Sequence, residues 1–217
     1  MVTEWVQNNG TTIRLNYSSC LEAQHLVEFM LLNKSSLRPS ASQILQHPLF
    51  WTGSEKIKFV EEISAKLSLP KRAGLIGELP KDFSIIENKI DNRLETNDWK
   101  SSLPNVLLTE VTHHYSDCPL DLLRLIRNHY HHWNDPHFNE EVKLLYNNHS
   151  PQVTNLIDHE ADVDDHKYMS YWTQYGLFPS LIISFWADLE PWKNELGLMK
   201  YYPEDYFFAK PMSSIDE

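Results

Sequence analysis

The stretch from Leu122 to Trp133, LLRLIRNHYHHW, holds the side chains best suited to chemistry. On a helix, Asn128 and His132 stand four residues apart and share a face. Arg127 lies beside Asn128 and can reach the same edge. A guanidinium, an amide and an imidazole together suit metal-free cleavage of RNA. In that reaction the ribose 2′-OH attacks its own phosphate and leaves a 2′,3′-cyclic product. It needs a base for the 2′ proton, an acid for the departing 5′ oxygen, and donors for the charge on phosphorus. An imidazole, with an ordinary pKa near ~6.5, fits the acid or the base role. A guanidinium fork matches phosphate. His113 and His114, ahead of this helix, offer a second imidazole.

Two alternatives stand beside this reading. Histidines near a helix C-terminus favour the helix dipole and make an ordinary polar end. A zinc site would draw on His129, His131, His132 and His137, but neighbouring residues on a helix diverge by about 100°. Gly-rich phosphate loops, G-x-S-x-G and H-E-x-x-H do not occur, which argues against a P-loop nucleotidase, a serine hydrolase and a zinc protease.

The elements that must position these groups read as helices. Asp117 and Pro119 open a helix to about His132, with Leu122, Leu123, Ile126 and Tyr130 as its apolar stripe. A helix after Pro104 leads to His114, and Asn134-Asp135-Pro136 stops the central helix. Upstream, residues 22–32 form a helix with Leu26, Val27, Met30 and Leu31 on one face. Ser40 caps a short helix that buries Ala41, Ile44 and Leu45. From Ser54, Ile57, Val60, Ile63 and Leu67 define one buried stripe. Residues 70–80 read as a loop and residues 84–94 as a helix. Helices are also expected over 139–146, 166–175 and 179–189. Residues 1–19 read as polar and irregular, and residues 147–165 as a solvated acidic loop. A calcium loop is the sharper reading of that acidic segment, but it lacks the turn Gly and the terminal Glu. The fold class is all-α, with no convincing strand.

Composition agrees. The chain has 217 residues, 41% hydrophobic and 23% charged, enough for a sizeable core. Only 6 glycines occur, which disfavours a turn-rich β fold. The two cysteines, Cys20 and Cys118, exclude a disulfide framework and a cysteine-built zinc site, and point to a reducing compartment. A net charge of −11 argues against broad duplex binding, so DNA is not an expected partner. Small-site recognition of a few unstacked RNA bases remains compatible with it. No apolar run spans a membrane, and the first residues do not form a signal peptide.

At this point the residues resemble a known family. Asp121-Leu122-Leu123-Arg124-x-Ile126-Arg127-Asn128-x-x-x-His132 is similar to the signature helix of the KEN (kinase-extension nuclease) domain. Leu37-Arg38-Pro39-Ser40-Ala41-x-x-Ile44-Leu45-x-His47-Pro48-x-Phe50-Trp51 resembles the end of a protein kinase C-lobe. Asp98-Trp99, Tyr168-x-x-Tyr171-Trp172, Phe178-Pro179-x-Leu181-Ile182 and Tyr201-Tyr202 extend the match, which covers about residues 20–205.

The resemblance implies a kinase C-lobe remnant over 1–52, a helical KEN ribonuclease domain over 53–210 and a tail over 211–217. It implies a metal-independent endoribonuclease that cuts RNA loops as a dimer, with no cofactor. The partner would be a second copy or a related kinase/ribonuclease, and the location cytoplasmic. His132 takes the place of the family's catalytic histidine, and Arg127 and Asn128 that of its phosphate-binding pair. The family's tyrosine, 13 residues before the arginine, falls on His114, with Tyr115 one residue later. Either could serve as the base. The kinase N-lobe, nucleotide pocket, catalytic loop and activation loop are missing, so phosphotransfer is not expected. A non-catalytic module that pairs with a full-length relative is the rival reading.

Overall fold

The computed structural model describes residues 4–8, 11–15, 21–75, 77, 79–93, 98–112, 114–148, 163–173 and 176–203. Among these, the architecture is helical. In chain order the helices are α1 (Leu21–Met30), α2 (Ala41–Leu45), α3 (Gly53–Ile63), α4 (Leu69–Ala73), α5 (Phe83–Arg93) and α6 (Asn105–Val111). They continue with α7 (Pro119–His132), α8 (Glu140–Asn148), α9 (Val163–Trp172) and α10 (Leu181–Leu189). Short 3₁₀ turns at Pro48–Phe50, Trp99–Ser102, Glu190–Trp192 and Met199–Tyr201 join them.

One element departs from the helical class. Glu4–Asn8 (β1) and Thr11–Leu15 (β2) pair antiparallel, with Val6 opposite Ile13. The expectation of an irregular segment over 1–19 is corrected here. The signal was present in the β-branched residues Val6, Thr11, Thr12 and Ile13 flanking Asn9-Gly10, the dipeptide most favoured in two-residue hairpins.

Helix starts follow their caps. The Ser40 hydroxyl accepts from Gln43 N, and the Gln43 side chain accepts from Ser40 N. Thr52 and Glu55 make the same reciprocal pair ahead of α3. The stripe Ile57, Val60, Ile63 and Leu67 is buried as its spacing requires. Leu45 is not: it is 69% exposed, because α2 is a single short turn whose Ile44 side meets the core instead. Residues 70–80 are not wholly a loop. After Ile63 the chain widens into a π turn, Ser64–Ser68, and carries on as α4 until Gly74 ends it in the left-handed region, φ 70°.

The core is one aromatic-rich cluster. Helix α3 packs against α7 and α9, and the π turn packs against α7. Gly53 permits the α3–α9 approach, since a Cβ there would stand 2.3 Å from the backbone nitrogen of His166. Residues 21–51 dock onto the rest through buried groups. Lys56 Nζ sits 2.8 and 3.0 Å from the two carboxylate oxygens of Glu22. His25 Nδ1 and His47 Nε2 lie 3.1 Å apart, and both rings meet Trp186 edge-on. Trp51 packs on Phe59, Trp186 and Tyr201. Burial pushes the Glu22 carboxyl upward, against the pull of Lys56. Burial, aided by His25 and Lys56, holds His47 down to about 2.

Candidate active site

The frame of the site is α7, the longest helix described. Pro119 stands in its first turn, where a missing N–H costs nothing, and Asp121 adds the favoured negative charge. Leu122 through Ile126 are buried without interruption. That run is wider than the expected stripe because α3, the π turn and α9 enclose the helix from different sides. The Ser68 hydroxyl donates to Leu120 O at 2.8 Å and ties the start of α7 to the π turn.

Toward its C-terminal half, α7 presents the polar edge. Arg127 Nη1 donates to Asn128 Oδ1 at 3.1 Å. Asn128 Nδ2 donates to the Tyr115 hydroxyl at 3.0 Å. All three residues are partly exposed. One turn further along the same face, His132 Nδ1 lies 2.6 Å from Asp135 Oδ2, and the His132 side chain is 63% exposed. With Asp135 as acceptor, Nδ1 carries the proton of the neutral ring and Nε2 is the remaining nitrogen.

His114 and Tyr115, adjacent in sequence, have separate surroundings. Their amides both turn back to Val111 O at 3.2 Å, closing α6. Tyr115 then reaches Asn128, whereas His114 lines a cleft of about 200 Å³ with Lys71, Ser116 and Cys118. In that cleft Lys71 pairs with Glu87, and Cys118 Sγ lies 3.6 Å from Lys71 Nζ. His113 lies outside the described residues.

The remaining histidines scatter. His129 is buried, with Nδ1 3.2 Å from the Tyr146 hydroxyl, and burial assisted by His132 lowers it to about 4. His131 Nε2 contacts Glu61 at 2.9 Å. Among the described residues, no three His, Cys, Asp or Glu side chains gather as a metal site would require. The acidic segment weighed as a calcium loop falls almost wholly outside them. No described helix is long and apolar enough to cross a membrane.

The sequence reading passed over two residues beneath the site. Arg124 is 2% exposed. Its Nε donates to Asp121 Oδ1 at 2.9 Å and its Nη2 to His114 O at 2.7 Å, and its Cζ lies 4.2 Å from the Tyr115 ring centroid. Asp121 Oδ2 in turn accepts from Ser116 N at 2.5 Å. An arginine in an apolar helix face with an aspartate three residues earlier was the available signal.

This helical fold, with α7 at its centre, is that of a ribonuclease domain: the Ribonuclease 2-5A family matches residues 56–202, more than half of the chain, which therefore belongs to it. It is a KEN domain. Several relatives carry the same domain at the end of much longer chains. The inactive serine/threonine-protein kinase/endoribonuclease IRE1-like of Arabidopsis thaliana is 26% identical over 201 residues, 90% of this chain and 34% of that protein. Serine/threonine-protein kinase/endoribonuclease IRE1a of the same plant is 30% identical over 110 residues, 49% of this chain and 12% of that protein. The sensor for unfolded proteins in the ER, ire1, of Schizosaccharomyces pombe is 29% identical over 117 residues, 52% of this chain and 10% of that protein. The chain thus spans about a third of the first relative's length and about a tenth of the others'.

Proposed function

We propose that this chain is an endoribonuclease that cuts RNA loops by 2′-OH attack, leaves a 2′,3′-cyclic phosphate, needs no metal or cofactor and works as a dimer. The observation that carries the reading is the continuous set Arg127–Asn128–Tyr115, with His132 one turn along the same helix edge. Tyr115 takes the 2′ proton, because its hydroxyl stands at Asn128 while His114 faces the neighbouring cleft. Arg127 and Asn128 hold the phosphate and meet the charge that builds on its oxygens. His132, as imidazolium, gives its proton to the leaving 5′ oxygen, and Asp135 balances that charge. RNA is the substrate, recognised through a few unstacked bases, and a second copy or a related kinase/ribonuclease is the partner.

Residues 1–52 are read as the end of a kinase-like C-lobe, 53–210 as the nuclease domain and 211–217 as a tail. An alignment of 201 residues with the Arabidopsis IRE1-like protein reaches N-terminal of residue 56, which supports that division. The chain is placed in the cytoplasm. The test is cleavage of a fluorescent RNA hairpin in excess EDTA over a protein concentration series. Cutting that survives EDTA, rises faster than linearly and falls about 10²–10⁴-fold in His132→Ala supports the reading. Unchanged cleavage by His132→Ala removes it.

One observation favours a second reading, a non-catalytic module that pairs with a full-length relative. The relative that aligns with 90% of this chain is itself named inactive. Purified chain that dimerises with such a relative, yet cuts no RNA even when fused to a strong dimeriser, would establish that alternative.

A further inference from the structure

The Tyr115 hydroxyl lies on a short connector, between the end of α6 and the cap of α7, and not on a helix. A catalytic group on a connector must be held by something else, since a displacement of about 1 Å can cost on the order of 10²-fold in rate. We propose that Arg124, anchored by Asp121, is the positioning residue that sets the Tyr115 ring against Asn128. The proposal deepens the ribonuclease reading and rests on it for its catalytic meaning.

The geometry supports this in three ways. First, Arg124 is fixed at both ends of its fork, by Asp121 Oδ1 at 2.9 Å and by the carbonyl of His114 at 2.7 Å. That carbonyl belongs to the peptide unit leading directly into Tyr115, so the guanidinium holds the backbone that delivers the ring. Second, the same guanidinium lies 4.2 Å from the Tyr115 ring centroid and holds the ring itself. Third, Asp121 also accepts from the amide of Ser116, the residue after Tyr115. The connector is therefore gripped on both sides of Tyr115 by one ion pair rooted in α7. Arg124 and Asn128 are four residues apart on that helix, so the clamp and the hydroxyl's partner move as one body.

This arrangement also accounts for a buried charge. Arg124 is 2% exposed and touches no polar edge where phosphate would bind, so a direct contact with substrate is not its role. A methionine would fill the volume. The planar fork, with donors to a carboxylate and to a carbonyl while its face covers a ring, has no counterpart in lysine.

The test separates position from chemistry. In isotope-labelled protein, the nuclear Overhauser contact between the Tyr115 ring and the Asn128 side-chain amide is read in the wild type, in Arg124→Lys and in Asp121→Asn. The contact is expected in the wild type and lost in Arg124→Lys, while contacts between α3 and α7 are retained. Asp121→Asn, which keeps Arg124 but weakens one anchor, weakens the contact and serves if Arg124→Lys does not fold. In RNA cleavage, Arg124→Lys should lower kcat on the order of 10²-fold with KM unchanged. In a Tyr115→Phe background, it should cost nothing more. A contact that persists in Arg124→Lys, or a kinetic loss that adds in full to that of Tyr115→Phe, overturns the proposal. If the wild type cuts no RNA, the ribonuclease reading fails by itself, and the Overhauser contact still decides whether Arg124 sets the ring.

Discussion

The junction around Glu22 and Lys56 and the edge of α7 around Arg127 and His132 both gather charged and polar groups, but they handle water in opposite ways. At the junction the groups are dry. Glu22 is fully buried, Lys56 is nearly so, and His47 sits among aromatic rings. Each is paired with another group of the junction, since a buried charge without a partner costs several kcal/mol. At the α7 edge, Arg127, Asn128 and Tyr115 are partly exposed and His132 is open to solvent. Their hydrogen bonds orient them while leaving room for a ligand. The difference teaches where each cluster acts. The first holds residues 21–51 on the nuclease domain. The second is available for chemistry.

That contrast can be broken by substitution. The largest effect is expected from His132→Ala, which should lower cleavage by about 10²–10⁴-fold and leave the melting temperature where it was. Lys56→Met should do the reverse. It strands the Glu22 carboxylate and should cost about 3–5 kcal/mol, or about 10 °C in thermal unfolding. Glu22→Leu combined with Lys56→Met should regain most of that loss, because it removes both charges together. A Lys56→Met protein as stable as the wild type would show that the pair is open to water.

Acid sharpens the comparison. Folding holds His129 down to about 4 and His47 to about 2, below the ordinary ~6.5 of an unfolded histidine. Below pH 6.5 the unfolded chain therefore binds more protons, and stability falls as pH falls towards the folded values. Each histidine should remove about 2 kcal/mol between pH 7 and pH 5. Denaturant unfolding at the two pH values, in the wild type and in His129→Gln, measures this. The variant should lose less stability on acidification. The smallest effect is expected from Asp135→Asn. The pair it breaks is exposed, so cleavage should fall about threefold, with no change in unfolding.

The helices and the spacing of Arg127, Asn128 and His132 were legible from the chain, because a 3.6-residue period and a four-residue offset are local facts. The stripe Ile57, Val60, Ile63 and Leu67 is buried for the same reason. What the sequence hid depends on groups brought from elsewhere. Arg124 reads as a polar position, yet it is buried because Asp121 and the His114 carbonyl satisfy its donors. The choice between His114 and Tyr115 is a one-residue matter, decided by how the connector turns after Val111, and periodicity does not reach into connectors. The helix over Leu69–Ala73 was masked by Pro70, which usually marks a break. The hairpin at the start was masked by its polarity, although its Asn-Gly dipeptide was a recognisable signal.

The π turn at Ser64–Ser68 makes this part of the chain sensitive to length rather than to composition. A π turn spends one residue more than an α-helix to cover the same path. Removing any single residue between 64 and 68 would relax the turn to ordinary helix and rotate everything after it by about 100°. Ser68 would then face away from Leu120, and Lys71 away from Glu87 and Cys118. Side-chain exchanges at the exposed positions Ala65 and Lys66 should pass almost unnoticed, whereas a deletion there would detach α4 from the start of the helix that carries Arg127, Asn128 and His132. Among relatives of this chain, the count of residues in that turn should vary less than their identity.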